Sequence, residues 1–185
     1  MIGVTQLRRG VTFSHEGAIY RVLEYDHYKP GRGGAIIRTK LRNLKTGAIT
    51  NVNFNSGDRV DDIRLDNRTV QYLYADETFY NFMDTETFEQ VALPRATLED
   101  VIHYLKEGMS IEIESYEGEP LDIEIPITVE LEVTEAPIGF AGDTATGATK
   151  EVTLETGLKL NVPLFVEAGD IIRIDTRTGE YLTRV

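Results

Sequence analysis

Ala18 to Leu44 read AIYRVLEYDHYKPGRGGAIIRTKLRNL, two strand-like runs on either side of a cationic, glycine-rich turn. Upstream, Ala18 to Tyr25 is rich in β-branched and aromatic residues. Downstream, Ala35 to Leu44 alternates: Ile37, Thr39 and Leu41 fall on one side, Arg38, Lys40 and Arg42 on the other. The pattern predicts a hairpin with one buried face and one wet, basic face. In the turn, Gly31, Gly33 and Gly34 accept positive φ and leave the backbone uncovered, while Pro30 stiffens the ascent and Lys29 adds a charge. Arg32 stands at the centre, and half of such a seven-residue loop, extended, reaches about 10 Å.

A turn of this composition is also ordinary punctuation, and an exposed arginine on it is ordinarily a solvated charge. The pattern disfavours a phosphate-cradling loop, because the residues after Gly34 follow a two-residue period and the Lys-Ser/Thr pair of such a loop is missing.

The rest of the chain repeats the β pattern. Runs at Ala18–Tyr25, Ala35–Leu44, Thr69–Tyr74, Thr78–Met83, Ser110–Ser115, Leu121–Ile125, Thr128–Val133, Lys150–Glu155, Gly157–Val162 and Ile171–Thr176 are separated by turn signals, the signature of an all-β protein of sandwiches or barrels. One segment departs from it. Leu98, Val101, Ile102 and Leu105 have helical spacing between Pro94 and Gly108, with Thr97 as N-cap, and predict one short amphipathic helix. Leu105-x-x-Gly108-x-x-Ile111-x-Ile113 returns as Val166-x-x-Gly169-x-x-Ile172-x-Ile174, an offset of 61 residues that suits a small five-stranded OB-type barrel. Module boundaries are expected near 64 and 127.

The net charge of −12 over 185 residues argues against a polyanionic partner only as an average. Residues 1–64 hold 11 Lys/Arg against 6 Asp/Glu, residues 65–127 hold 3 against 15, and residues 128–185 hold 5 against 10. A basic first module beside an acidic middle favours RNA contact through the first module alone. No cysteine is present and His15, His27 and His103 are scattered, so neither a metal site nor a cofactor is expected. No nucleophile–base pair or carboxylate cleft suggests an enzyme. Glu112, Glu114, Asp122 and Glu124 alternate with isoleucines and are expected on solvated strand faces. Apolar runs are short and the N-terminus lacks a secretory layout, so a cytoplasmic chain that does not enter membranes is expected. A general single-stranded RNA-binding or RNA-chaperone module remains the alternative; it needs stacked aromatics on basic faces. Tyr72, Tyr74, Phe79, Tyr80 and Phe82 instead lie in the acidic segment, and are expected to fill or rim the second barrel.

Several separate segments resemble one family. They are Lys29-Pro-Gly-Arg-Gly-Gly34, Lys40-Leu-Arg-Asn-Leu44, Gln71-Tyr-Leu-Tyr74, Phe82-Met83 with Phe88-Glu-Gln90, Tyr116-Glu-Gly118, Gly142-Asp-Thr-Ala145, the run Lys150 to Gly169, and Asp175-Thr-Arg-Thr-Gly-Glu-Tyr181. Together they resemble bacterial translation elongation factor P over essentially the whole length. That resemblance implies three small β-barrels in an L-shaped, tRNA-like arrangement: an SH3-like or KOW-type domain at 1–64, an acidic OB-type domain at 65–127 and a C-terminal OB-type domain at 128–185. It implies a monomer that binds the 70S ribosome between the peptidyl and exit sites and aids peptide-bond formation at consecutive prolines.

By the same resemblance, Arg32 at the loop tip, with Lys29, Pro30, Gly31, Gly33 and Gly34, would approach the end of peptidyl-site tRNA. Arg38, Lys40 and Arg42 would grip RNA backbone, and Gly142, Asp143, Thr144, Ala145, Thr146 and Gly147 would approach the exit-site mRNA codon. Many relatives carry an enzymatically extended lysine at the tip, and some arginine-tipped ones carry a sugar there. Here KPG-x-GGA surrounds Arg32 as in the lysine-tipped kind, so Arg32 is a possible target of a modifying enzyme or acts bare.

Overall fold

A computed structural model of the chain describes residues 1–31, 33–139 and 147–185. These residues form three antiparallel sheets in sequence order. In the first, β1 (Ile2–Gly3), β2 (Thr12–His15), β3 (Ala18–Tyr28), β4 (Ile36–Asn43), β5 (Ile49–Asn55) and β6 (Arg59–Asp62) are ordered β1-β6-β2-β3-β4-β5. The second comprises β7 (Asp66–Ala75), β8 (Phe79–Asp84), β9 (Gln90–Pro94), β10 (Ser110–Tyr116) and β11 (Glu119–Glu124), ordered β11-β10-β7-β8-β9. The third comprises β12 (Thr128–Glu135), β13 (Thr149–Leu154), β14 (Lys159–Pro163), β15 (Ile171–Asp175) and β16 (Glu180–Arg184), ordered β14-β13-β12-β15-β16.

Alternation builds each core. On β4, Ile37, Thr39 and Leu41 are all buried, and Ile37 and Leu41 join Val4, Leu7, Phe13, Val22, Phe54 and Val60 in the first core. The Thr39 hydroxyl donates to the Val52 carbonyl at 2.8 Å, which makes a polar residue tolerable there. Phe82, Tyr72 and Tyr80 fill the second core, whereas Tyr74 and Phe79 stay exposed at its rim. The third core holds Leu131, Val133, Leu154, Val162, Ile172 and Ile174. Each fully buried aliphatic or aromatic side chain contributes about 1.5–3 kcal/mol.

The helix expected between Pro94 and Gly108 is shorter than its spacing suggests. Only Arg95–Leu98 is α-helical, with Pro94 rather than Thr97 as N-cap, and Ile102–Tyr104 forms a separate 3-10 turn. Thr97 instead donates its hydroxyl to the Pro94 carbonyl at 2.7 Å. Val101, at φ −120°, donates to Leu98 three residues back, and Tyr104 and Leu105 repeat that short spacing. The β-branched pair Val101-Ile102 is costly in a continuing α-turn, and the tighter bonds still let Leu98 and Leu105 reach the core.

The first and second sheets are joined by chemistry that the carboxylate pattern of β10 and β11 did not reveal. The Arg21 guanidinium donates to the Glu114 carboxylate and, at 3.0 Å, to Asp122. Arg42 donates to the Thr97 carbonyl at 2.6 Å and lies 3.6 Å from Asp100; Lys45 pairs with Glu119 at 2.9 Å. Beneath these ions Ile19, Leu44 and Leu121 form a small apolar cluster. The expectation of a solvated face for Glu114 and Asp122 is therefore corrected: Asp122 is buried and both clasp Arg21. Burial pushes the Asp122 carboxyl above its usual range, outweighing the Arg21 guanidinium and the Ile123 N–H, which pull it down.

Candidate RNA-facing hairpin

β3 and β4 pair from Tyr20↔Asn43 out to Tyr28↔Ile36, and residues 29–35 connect them as the tip. Past Leu23 the β3 side chains Glu24, Asp26, His27 and Tyr28 are exposed, while on β4 the partners of Tyr25 and His27, Thr39 and Ile37, stay buried, so the core reaches along one face of the hairpin almost to its tip and the other face is open. Lys29, Gly31, Gly33 and Gly34 are exposed and Pro30 is half-buried. Arg32 lies outside the described residues. Of the three tip glycines only Gly33 has positive φ, at 115°. A Cβ added at Gly31, Gly33 or Gly34 would meet nothing within 4 Å, so Gly31 and Gly34 chiefly leave the flanks of the tip open.

The register of the ladder determines the charge of the outward face. Glu24 lies opposite Lys40, Asp26 opposite Arg38, and Arg21 opposite Arg42; on the far side Asn53 and Asn51 lie beside Arg38 and Lys40. The face is therefore not simply basic. At its base, Arg21 is engaged by Glu114 and Asp122 of the second sheet and Arg42 by Thr97 of the short helix. Midway, the Lys40 ammonium is 2.9 Å from Glu24. Nearest the tip, the Arg38 guanidinium lies over the Tyr28 ring, 4.3 Å from its centroid, and has no carboxylate within 4 Å among the described residues.

Cation availability thus rises toward the tip, where Arg38 and Lys29 stand with Tyr28. Sequence alternation found the three β4 cations but missed Tyr28, Glu24 and Asp26. A seven-residue connector fixes that pairing, so a register drawn across the turn carries the signal.

In the third sheet's long β12–β13 connection, Gly142, Asp143, Thr144, Ala145 and Thr146 lie outside the described residues. Gly147 is exposed with φ 97°. Among the described residues no group of three or more His, Asp or Glu is placed to hold a metal ion, and no helix is long and apolar enough to cross a membrane.

Three family models match in tandem: the elongation factor P KOW-like domain over residues 3–60, the elongation factor P OB domain over 65–123, and the elongation factor P C-terminal domain over 129–184. Among solved structures, eukaryotic translation initiation factor 5A from Methanococcus jannaschii is similar at 22% identity and a TM-score of 0.52, covering 66% of this chain and 90% of that one. A translation initiation factor eif-5a family protein from Naegleria fowleri matches at 14% identity and a TM-score of 0.43, covering 67% and 96%. The first of these likenesses concerns the fold.

Proposed function

Because the chain belongs to the elongation factor P family of translation factors, we propose that it works as the bacterial factor does, binding the ribosome between the peptidyl and exit sites and promoting peptide-bond formation at consecutive prolines. The observation that carries this reading is the exposed tip of the β3–β4 hairpin, where Gly31, Gly33 and Gly34 leave open space beside the backbone and Lys29 and Arg38 are exposed with no carboxylate within 4 Å among the described residues. In this reading the three sheets curl as barrels set in an L resembling tRNA, with the tip directed to the acceptor end of peptidyl-tRNA.

Proline reacts slowly because its ring restricts φ and misplaces the reacting groups. Positioning can therefore help without an acid or a base. A guanidinium is permanently charged and presents a planar fork that matches phosphate. Arg32 would hold the tRNA end, with Lys29 and the Gly31, Gly33 and Gly34 backbone alongside. Arg38 and Lys40 would steady nearby RNA backbone without reading sequence. Arg42 would support them indirectly, through its bonds to Thr97 and Asp100. A gain of ~1.4 kcal/mol in alignment is worth about tenfold in rate. The loop 142–147 would approach the exit-site codon, and an enzyme that modifies Arg32 would extend the tip's reach.

Aromatic placement weighs against a general single-strand RNA binder, since Tyr72, Tyr80 and Phe82 are packed inside the second core and are not available for base stacking. The test is reconstituted translation of a polyproline template. Arg32→Ala should leave the fold intact and lower full-length product about tenfold or more; full rescue by that variant removes the positioning role.

A further inference from the structure

Two turns of the described chain close with the same four hydrogen bonds, and a third shares three of them. In Asn43–Ala48, the Asn43 side-chain oxygen accepts from the N–H groups of Lys45 and Thr46, the Gly47 N–H donates to the Asn43 carbonyl, and the Ala48 N–H donates to the Thr46 hydroxyl oxygen. Asp84–Glu89 repeats this bond for bond: Glu86 and Thr87 donate to the Asp84 carboxylate, Phe88 to the Asp84 carbonyl, and Glu89 to the Thr87 hydroxyl. In Asp175–Glu180, Arg177 donates to the Asp175 carboxylate, Gly179 to its carbonyl, and Glu180 to Thr178.

The fifth residue of each turn is left-handed, with φ 75° at Gly47, 75° at Gly179 and 60° at Phe88. Glycine adopts that conformation freely, whereas a bulky side chain crowds the neighbouring carbonyl. Phe88 is thus the exception in an otherwise shared design, and the residue is 71% exposed, so burial against the chain's own body offers little compensation. Among the described residues the other non-glycine residues with positive φ, Glu16 and Glu117, are polar and directly precede Gly17 and Gly118 in tight turns. An exposed aromatic ring held on a strained backbone is the arrangement expected where the ring is needed by something outside the molecule.

The surroundings say what that something is. Glu86 and Glu89 flank Phe88 and are exposed, and the turn belongs to a module with 3 Lys/Arg against 15 Asp/Glu. Phosphate would be repelled; a basic protein surface with an apolar recess would be complementary in charge and shape. We propose that Phe88, at the tip of the β8–β9 turn, is a docking knob for a basic protein surface of the ribosome. This rests on the ribosome-binding reading above.

The test uses the full chain and purified ribosomes. Phe88→Gly should leave the unfolding midpoint unchanged or raise it by about 2 °C, and Phe88→Asn should keep the fold, because both residues accept positive φ. Both should weaken ribosome binding about tenfold. A benzophenone side chain at position 88 should crosslink to a ribosomal protein. Equal binding by the parent and both variants overturns the knob alone, while a parent that does not bind ribosomes overturns the functional reading as well. A lowered midpoint for Phe88→Gly, a crosslink to ribosomal RNA, or no crosslink also overturns the knob.

Discussion

Gly47 has φ 75°, and a Cβ there would lie 2.8 Å from the Ala96 carbonyl oxygen, because its turn presses against the start of the short helix in the second module. Gly47→Ala should therefore cost about 2 kcal/mol by denaturant unfolding, from backbone strain and from the displaced Ala96 peptide. Asp175 carries a pH signature. The Arg177 side chain, and then its N–H, hold the Asp175 carboxyl down from 3.8 to about 2. A carboxyl lowered in the folded state contributes stability above its unfolded value, and that contribution is lost as pH falls from about 3.8 through about 2. Asp175→Asn should flatten the fall of the thermal midpoint with pH across that interval. At this scale alternation was enough to place Ile37, Thr39 and Leu41 inside. It could not reveal that Glu24 and Asp26 oppose Lys40 and Arg38, because cross-strand partners depend on register as well as on periodicity.

Among the elements, the clasp between β3 and the β10–β11 pair has the most to lose from one substitution. The Arg21 side chain is 21% exposed and that of Asp122 only 9%, so removing the guanidinium strands a buried carboxylate. Arg21→Ala should cost about 2–3 kcal/mol, somewhat below the figure for fully enclosed pairs because Arg21 retains some solvent. Asp122→Asn should cost less, since the amide oxygen still accepts from Arg21 and the charge that burial disfavours is gone. Matched denaturant curves separate the two. The long strands were legible from their two-residue period. β2, β6 and β16 are too short or too polar to stand out, and β5 offers only Val52 and Phe54 as inward-facing signal. The helix between Pro94 and Gly108 was overread, because 3-10 turns and α-turns place Leu98 and Leu105 on the same side.

Over the whole molecule, three all-β modules could be read from the spacing of turns and the drift of charge, whereas the ties between modules could not. Those ties join residues far apart in the chain, 55 for Arg42 and Thr97 and 101 for Arg21 and Asp122, and no local pattern pairs them. Module charge predicts how binding responds to salt. Ribosome affinity should fall as salt rises, and Lys29→Ala with Arg38→Ala should shallow the slope by about two phosphate contacts in a filter-binding titration. β5 closes one side of the first sheet as a seven-residue edge whose outward row is Asn51, Asn53 and Asn55, with no lysine, glutamate or proline to discourage a visiting strand. Crowded or heated samples would accordingly begin to self-associate along that unguarded border, making it the natural place for a single charge to lengthen shelf life.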